Sequence, residues 1–397
     1  MADSIVLAGA VRTPIGKFGG SLAPLTAPDL GVHAAQEALK RAGLAPEAID
    51  QAIFGHGRQA GQGPSTGRQV AVRAGVPVER PAYTVNMACG SGLKSVLLGA
   101  DAIRLGRAQA VLAGGIESMS NTPYYLLKAR WGERLGHDQI VDGMYHDGFQ
   151  CRLADQLMGA TAENLVDRYK ISRAEQDAYA VRSQERCEAA RKRKRFEAEK
   201  VAIPLPDKKK VLQPFTTDEH PRDGTTLADM AKLAPVFRKE SEGGTVHAGN
   251  SSGITDGGAA VVVLSEAAAR KAGARPLARL VAYAEAGVAP REMGLGPVPA
   301  VQRLLQETGL RTADIDLWEL NEAFAAQVIA CNRELAIDEE RLNVDGGSIA
   351  LGHPIGATGC RILVTLLHSL AERDLKRGVA TLCISGGLGL AALVERV

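Results

Sequence analysis

The chain carries one structural programme twice. A β-rich run, Pro81 to Val85, meets a helix, Leu93 to Leu105, with Cys89 at the join, and an apolar strand, Ala108 to Gly115, follows and ends in Gly-Gly. In the last third a glycine-rich turn around His353 leads into a helix, Gly359 to Arg373, and the apolar strand Gly378 to Ser385 again runs into Gly-Gly. A reactive residue at a turn, then a long helix, then a buried strand, repeated, confine the fold to a duplicated α/β architecture.

The remaining elements fit that frame. Strands are expected at Ile5 to Ala10, Ala52 to Gly57, Leu317 to Leu320, Arg341 to Val344 and Leu390 to Val394, with a loop at Arg12 to Gly16. Helical spacing runs over Ala27 to Ala42, with Leu30, Ala34, Ala38 and Ala42 on one face, and over Thr66 to Ala74 and Val301 to Thr308. Strands alternating with helices indicate a largely parallel sheet covered on both faces. In the second half the Gly-Gly strand is followed almost at once by its terminal partner. In the first half the equivalent partner is Ala259 to Leu264, after Asp256-Gly257-Gly258, so most of the intervening chain reads as an insertion. The division expected is 1–120 with 245–272, an inserted 121–244, and 273–397.

The insertion holds a helical hairpin, Thr161 to Tyr169 and Arg173 to Phe196, and two basic clusters. Arg191 to Arg195, flanked by Glu188, Glu197 and Glu199, is expected on a solvated face. Lys208-Lys209-Lys210, in a loop after Pro204 and Pro206, and Arg222 beside a glycine turn could each meet an anionic ligand.

At 397 residues the chain is long enough for more than one core, and a net charge of +2 argues against a general nucleic-acid or membrane-surface binder. No apolar run approaches the roughly 18 residues of a membrane span, and the first residues carry an early acid and no basic n-region, so the cytoplasm is the expected compartment. Cys89, Cys151, Cys187, Cys331, Cys360 and Cys383 show no paired spacing, which fits reduced thiols. Without CxxC or HExxH, no metal site is expected.

Four stretches carry chemistry. Cys89 at the mouth of a helix feels the positive end of the helix dipole, which favours thiolate, although a buried cysteine also serves as a small hydrophobe. Asn343 to Gly359 packs five glycines around His353, Leu382 to Gly389 sets Cys383 at a strand end, and Asn321-Glu322-Ala323-Phe324 sets an amide at another and opens a helix. Ligands bind at the carboxyl ends of strands in open α/β sheets, so all four can converge on one crevice. There they can act as nucleophile, base, separate acid/base and oxyanion donor.

From Arg12-Thr13-Pro14 to the C-terminus the sequence resembles the thiolases, most specifically in the Cys89, Asn343–Gly359 and Cys383 segments. The resemblance implies duplicated α/β/α/β/α domains with mixed five-stranded sheets and an inserted loop domain that binds coenzyme A. It implies that Cys89 takes up the acyl group, His353 activates Cys89, Cys383 moves the proton at the substrate α-carbon, and Asn321 holds a water in one oxyanion hole. The backbone N–H groups of Cys89 and Ser385 form the other. Ser252 matches a position along the pantetheine arm and Arg222 one near the adenine; Met158, Met293 and Phe324 accompany the acyl pocket. The family also implies coenzyme A and acyl-CoA as substrates, no permanently bound cofactor, and a homodimer or homotetramer.

Two positions depart from the family pattern: Ser385 stands where glycine is usual, and Leu157 where many short-chain biosynthetic members have histidine. Both bear on acyl size. Rival readings are a decarboxylating ketosynthase, against which Cys383 counts, and a non-catalytic acyl-CoA-binding subunit, against which the intact Cys89, His353 and Cys383 count.

Overall fold

The computed structural model describes residues 4–207 and 209–397, so Lys208 of the lysine triplet lies outside the described residues. The main strands are β1 Ile5–Arg12, β2 Gln51–His56, β3 Ala82–Val85, β4 Ala110–Ser118, β5 Thr255–Ser265, β6 Pro276–Gly287, β7 Leu317–Leu320, β8 Arg377–Ile384 and β9 Leu388–Arg396. They form one sheet in the order β7-β8-β9-β6-β1-β5-β4-β2-β3, with the short strand Gly16–Lys17 on β5 off that path.

The duplication is visible in the pairing. Along β3-β2-β4-β5-β1 the pairs are parallel, parallel, antiparallel and antiparallel. The second half repeats this, from a parallel bridge between Leu342 and Trp318 of β7 through β8 and β9 to β6. The two sets meet where β1 and β6 pair antiparallel. The sheet is therefore mixed rather than largely parallel: β5 and β9 each return beside the preceding strand of their repeat, and such a return is antiparallel.

Helices α1 Ala27–Ala42, α2 Thr66–Arg73, α3 Ser91–Arg104, α4 Met158–Tyr169, α5 Arg173–Lys192, α6 Pro297–Thr308, α7 Ala325–Leu335 and α8 Ile355–Glu372 complete the frame. Thr26 caps α1, accepting from Asp29 N at 3.3 Å while the Asp29 carboxylate accepts from Thr26 N at 2.8 Å. Three apolar clusters give the layers. Ala34, Ala38 and Val70 of α1 and α2 pack on Val6, Leu112 and Val262. Val301, Leu304 and Val328 of α6 and α7 pack on Trp318, Val379 and Leu393. Between the half-sheets, Leu93, Val96 and Leu97 of α3 and Ile362, Leu363 and Leu366 of α8 fill the space from Val111 and Val263 to Leu382 and Ala392. The order is α/β/α/β/α, with α3 and α8 in the middle.

Glycines set the distance between those two helices. A Cβ on Gly92 would lie 2.8 Å from Cys360 N and 2.9 Å from Gly356 O, and one on Gly359 would collide with Leu93 N. The backbones touch because neither residue has a side chain.

Two local expectations are corrected. Arg341–Val344 forms no strand; only Leu342 makes a bridge. Asn343 adopts φ +47, and its side chain replaces the strand rung, accepting from Leu320 N at 2.9 Å and donating to Leu320 O at 2.8 Å. Nor is the whole Arg191–Arg195 cluster solvated. Arg195 is buried, 3.2 Å from both Glu199 and Asp345, and donates to Thr365 O at 2.8 Å and Ser369 Oγ at 2.7 Å. Acids and carbonyls far away in sequence enclose it, and the burial of a charge requires such partners. Arg12, the last residue of β1 rather than a loop residue, is buried likewise between Glu199 at 2.5 Å and Asp218 at 2.7 Å. These contacts fasten residues 119–254 to the sheet, whose strands β4 and β5 pair directly across them, with Ser118 opposite Asp256.

Candidate active site

Cys89 lies in the turn between β3 and α3. Ser91 Oγ accepts from Met87 N at 2.8 Å and donates to Ala88 O at 2.7 Å, while Asn86 Oδ1 accepts from Ala88 N at 2.9 Å. Ala88 is held at φ +45, a left-handed conformation that a residue with a side chain adopts only when its surroundings impose it. His353 occupies the same place in the other half, two residues before α8 as Cys89 is two before α3. Its backbone N donates to Gly253 O at 3.0 Å.

The two side chains meet: His353 Nε2 is 3.3 Å from Cys89 Sγ. On the other ring nitrogen, Nδ1 is 2.6 Å from Thr358 Oγ1, and that hydroxyl donates to Pro354 O at 2.9 Å. The threonine proton is thereby committed, so its oxygen accepts from Nδ1–H, and the lone pair of Nε2 faces the sulfur. Glu117, at the carboxyl end of β4, holds the same turn from below, accepting from Gly356 N at 2.8 Å and from Arg58 N at 3.1 Å. An anion at the first turn of α8 is also favoured by the helix dipole.

Burial governs the charge states. It pushes the Cys89 thiol above its ordinary value, opposed by the nearby Arg58 charge and a hydrogen bond from Ser385 N–H. Burial, with Arg361 and Arg58 adding to it, lowers His353 to about 3. The resting pair at neutral pH is therefore thiol and neutral imidazole. Taking the sulfur out of water opposes the helix end, which favours thiolate, so the imidazole is needed to draw off the proton. Cys383 is buried and raised well above its ordinary value, first by burial and then by Cys89.

A cavity of about 490 Å³ collects nearly all the candidates: Cys89, His353, Cys383, Ser385, Arg222, Ser252, Leu157, Met158, Met293 and Phe324 line it. Ser252 and Phe324 come from segments stitched together, Ser252 N donating to Ala323 O at 2.9 Å and Ser251 bridging Phe324. Phe237 packs edge-on against Phe324 at 6.2 Å between ring centroids. Asn321 does not line the cavity. It is buried with Oδ1 accepting from Ser348 Oγ at 2.6 Å, and its Nδ2 has no partner among the described residues. Glu322 binds the insertion to the His353 segment, accepting from Tyr179 OH at 2.9 Å, Ser183 Oγ at 2.7 Å and Ile349 N at 3.1 Å. Sequence reasoning missed Thr358, Glu117 and Arg58. Of these only Glu117 had a signal, an acid directly after an apolar strand containing Gly-Gly.

The thiolase N-terminal domain matches residues 5–267 and the thiolase C-terminal domain residues 274–396. The acetyl-CoA acetyltransferase of Pseudomonas aeruginosa is 49% identical over 394 residues, 99% of this chain and 100% of that one. The crystal structure of Bacillus anthracis acetyl-CoA acetyltransferase has a TM-score of 0.96 at 43% identity, covering 100% of this chain and 99% of that one. Human mitochondrial 3-ketoacyl-CoA thiolase in complex with CoA has a TM-score of 0.95 at 42% identity, covering 100% and 98%. Fold and relatives together define an acyltransferase built on a duplicated α/β/α/β/α frame. The chain belongs to the thiolase family.

Proposed function

We propose that the protein is a coenzyme A-dependent thiolase of ping-pong mechanism. It either condenses two acetyl-CoA to acetoacetyl-CoA or cleaves a 3-ketoacyl-CoA to acetyl-CoA and a shortened acyl-CoA. The observation that carries this is the 3.3 Å contact between Cys89 Sγ and His353 Nε2 inside a cavity that Cys383 also lines. In cleavage, Cys89 Sγ attacks the 3-keto carbon as Nε2 takes its proton. The N–H groups of Cys89 and Ser385 are assigned to the developing oxyanion, and Ser385 lines the cavity beside Cys89. The C2–C3 bond then breaks, and the acetyl-CoA enolate takes a proton from Cys383. A neutral buried thiol suits that donation. The resulting Cys383 thiolate takes the proton of a second coenzyme A, whose sulfur removes the acyl group from Cys89. Asn321 Nδ2, a buried donor without a partner among the described residues, is assigned the water that steadies the enolate oxygen.

Coenzyme A is a substrate in this scheme, and no permanently bound cofactor enters. Residues 121–244 are assigned to coenzyme A binding, with Ser252 along pantetheine and Arg222 near the adenine; 1–120 with 245–272 and 273–397 form the two halves. Leu157, Met158, Met293 and Phe324, which line the cavity, are assigned to its acyl end, with the Ser385 side chain narrowing it. The protein is assigned to the cytoplasm and to fatty-acid metabolism; among the described residues no helix is long and apolar enough to cross a membrane. It is read as a homodimer or homotetramer. Tyr124, Leu126, Leu127, Trp131, Leu135 and Ile140 stand exposed on one segment, and such apolar patches mark interfaces.

Initial rates with acetoacetyl-CoA and coenzyme A test the reading, and parallel-line kinetics with acetyl-enzyme accumulation are expected. Turnover of a malonyl thioester with carbon dioxide release would instead establish the ketosynthase. Binding without turnover would establish the carrier. A series of 3-ketoacyl-CoA chain lengths, compared by kcat/KM, sets the acyl preference.

A further inference from the structure

Arg58, two residues beyond β2, lines the cavity while only 6% exposed. Among the described residues its side chain donates no hydrogen bond and makes no ion pair, and its Nε is buried without a partner. Both acids whose charge it feels are engaged elsewhere. Glu117 accepts from Gly356 N at 2.8 Å and Arg58's own N at 3.1 Å, and stands 3.2 Å from His56 Nε2. Asp147 accepts from Tyr125 OH at 2.7 Å and is 2.7 Å from His146 Nδ1. The guanidinium carbon lies 5.7 Å from the Phe149 ring centroid, against Gly148, where any side chain would collide with it. Arg58 thus feels Glu117 and Asp147, the latter on the same cavity wall, but hydrogen-bonds neither, so its guanidinium donors at the cavity wall are left for an anion that arrives with the ligand.

We propose that Arg58 selects acyl groups bearing a terminal carboxylate, so that the substrates include 3-oxo acyl-CoA thioesters of dicarboxylic acids. The inference rests on the thiolase reading. Position favours the acyl group over the coenzyme A phosphates as the source of the anion. Phe149, over which Arg58 lies, belongs with Cys89 to the apolar cluster of Met119, Met144 and Ile355. Arg222, by contrast, also lines a second pocket with Asp223, Gly224 and Thr225, which Cys89 does not reach. The planar guanidinium binds a carboxylate through two parallel hydrogen bonds, which a lysine cannot reproduce. In the reaction Cys89 Sγ bonds to C3, the C2–C3 bond breaks, and acetyl-CoA leaves with a proton from Cys383 on C2. Coenzyme A then displaces the ω-carboxyacyl group, and its thiol proton returns to Cys383. One dicarboxylic 3-oxoacyl-CoA and one coenzyme A give acetyl-CoA and a dicarboxylic monothioester two carbons shorter.

The test compares kcat/KM for 3-oxoadipyl-CoA and 3-oxohexanoyl-CoA in the wild type, Arg58→Leu and Arg58→Lys. A preference for the carboxylated substrate of about tenfold or more is expected in the wild type, the size of one charge-assisted bond. It is expected to reverse in Arg58→Leu and to be only partly kept in Arg58→Lys, with KM for coenzyme A unchanged. A wild-type preference for the neutral substrate overturns the proposal whether or not the variants fold. Equal losses on both substrates overturn it too, assigning Arg58 to the nucleophile, and so does a rise confined to KM for coenzyme A, assigning it to phosphate. Failure to cleave either substrate or acetoacetyl-CoA would instead remove the thiolase reading beneath it.

Discussion

The turn before α3 and the turn before α8 hold the same place in the two halves and carry opposite chemistry. The first delivers a sulfur on a left-handed Ala88 turn. The second delivers an imidazole whose Nδ1 proton is bound to Thr358. Burial favours the protonated thiol in one and the neutral imidazole in the other. A reactive pair exists only where the halves dock and Gly92 and Gly359 let α3 and α8 touch. The two turns hold equivalent places and face one another, one presenting the proton donor and the other its acceptor.

The largest effect is expected on the sulfur side. Cys89→Ala is expected to lower kcat about 10⁴-fold or more, the scale of nucleophile removal, while coenzyme A binding by calorimetry persists. On the imidazole side, His353→Ala is expected to cost about 10²–10⁴-fold in kcat/KM, the contribution of a general base. Between them, Gly359→Ala leaves both reactive residues intact but wedges the helices apart. Thermal unfolding should show a loss of about 1–3 kcal/mol from overpacking. Activity should fall about 10²-fold, as for a misplacement near 1 Å.

Thr358→Val disturbs only the imidazole side, and more mildly. It leaves Nδ1–H without an acceptor, worth about 1–3 kcal/mol, and kcat should fall about tenfold or somewhat more as the tautomer is released. Smallest of all is the effect of mild acid. His353 is neutral above about 3, so kcat/KM should show no His353 inflection near the ordinary histidine value. The linked stability follows the same sign. The unfolded chain binds this proton first, so His353 contributes fully above its unfolded pKa and progressively less as pH falls toward about 3.

Much of this was legible in the chain, because glycines and reactive residues at repeated strand ends report backbone geometry directly. Cys89, His353 and Cys383 stand at such ends, and they share a cavity. What could not be read depended on distant partners. Arg195 looked solvated beside its local glutamates, yet Asp345 and Ser369 enclose it from 150 or more positions away. Asn343 stood in an apparent strand, but its own side chain supplies the rung to Leu320. At Cys89 the sequence shows the helix end that favours thiolate but not the desolvation that opposes it.

In the proposed reaction the sulfur before α3, activated across the interface by the imidazole before α8, carries the acyl group. Brief incubation with acetyl-CoA, acid quenching and peptide mass analysis locates that group. The expected result is one acetyl group on the peptide containing Cys89, none on that containing Cys383, and its loss in His353→Ala at equal incubation time. Acetyl on Cys383, or turnover of acetoacetyl-CoA with no acetylated cysteine at any quench time, would contradict it.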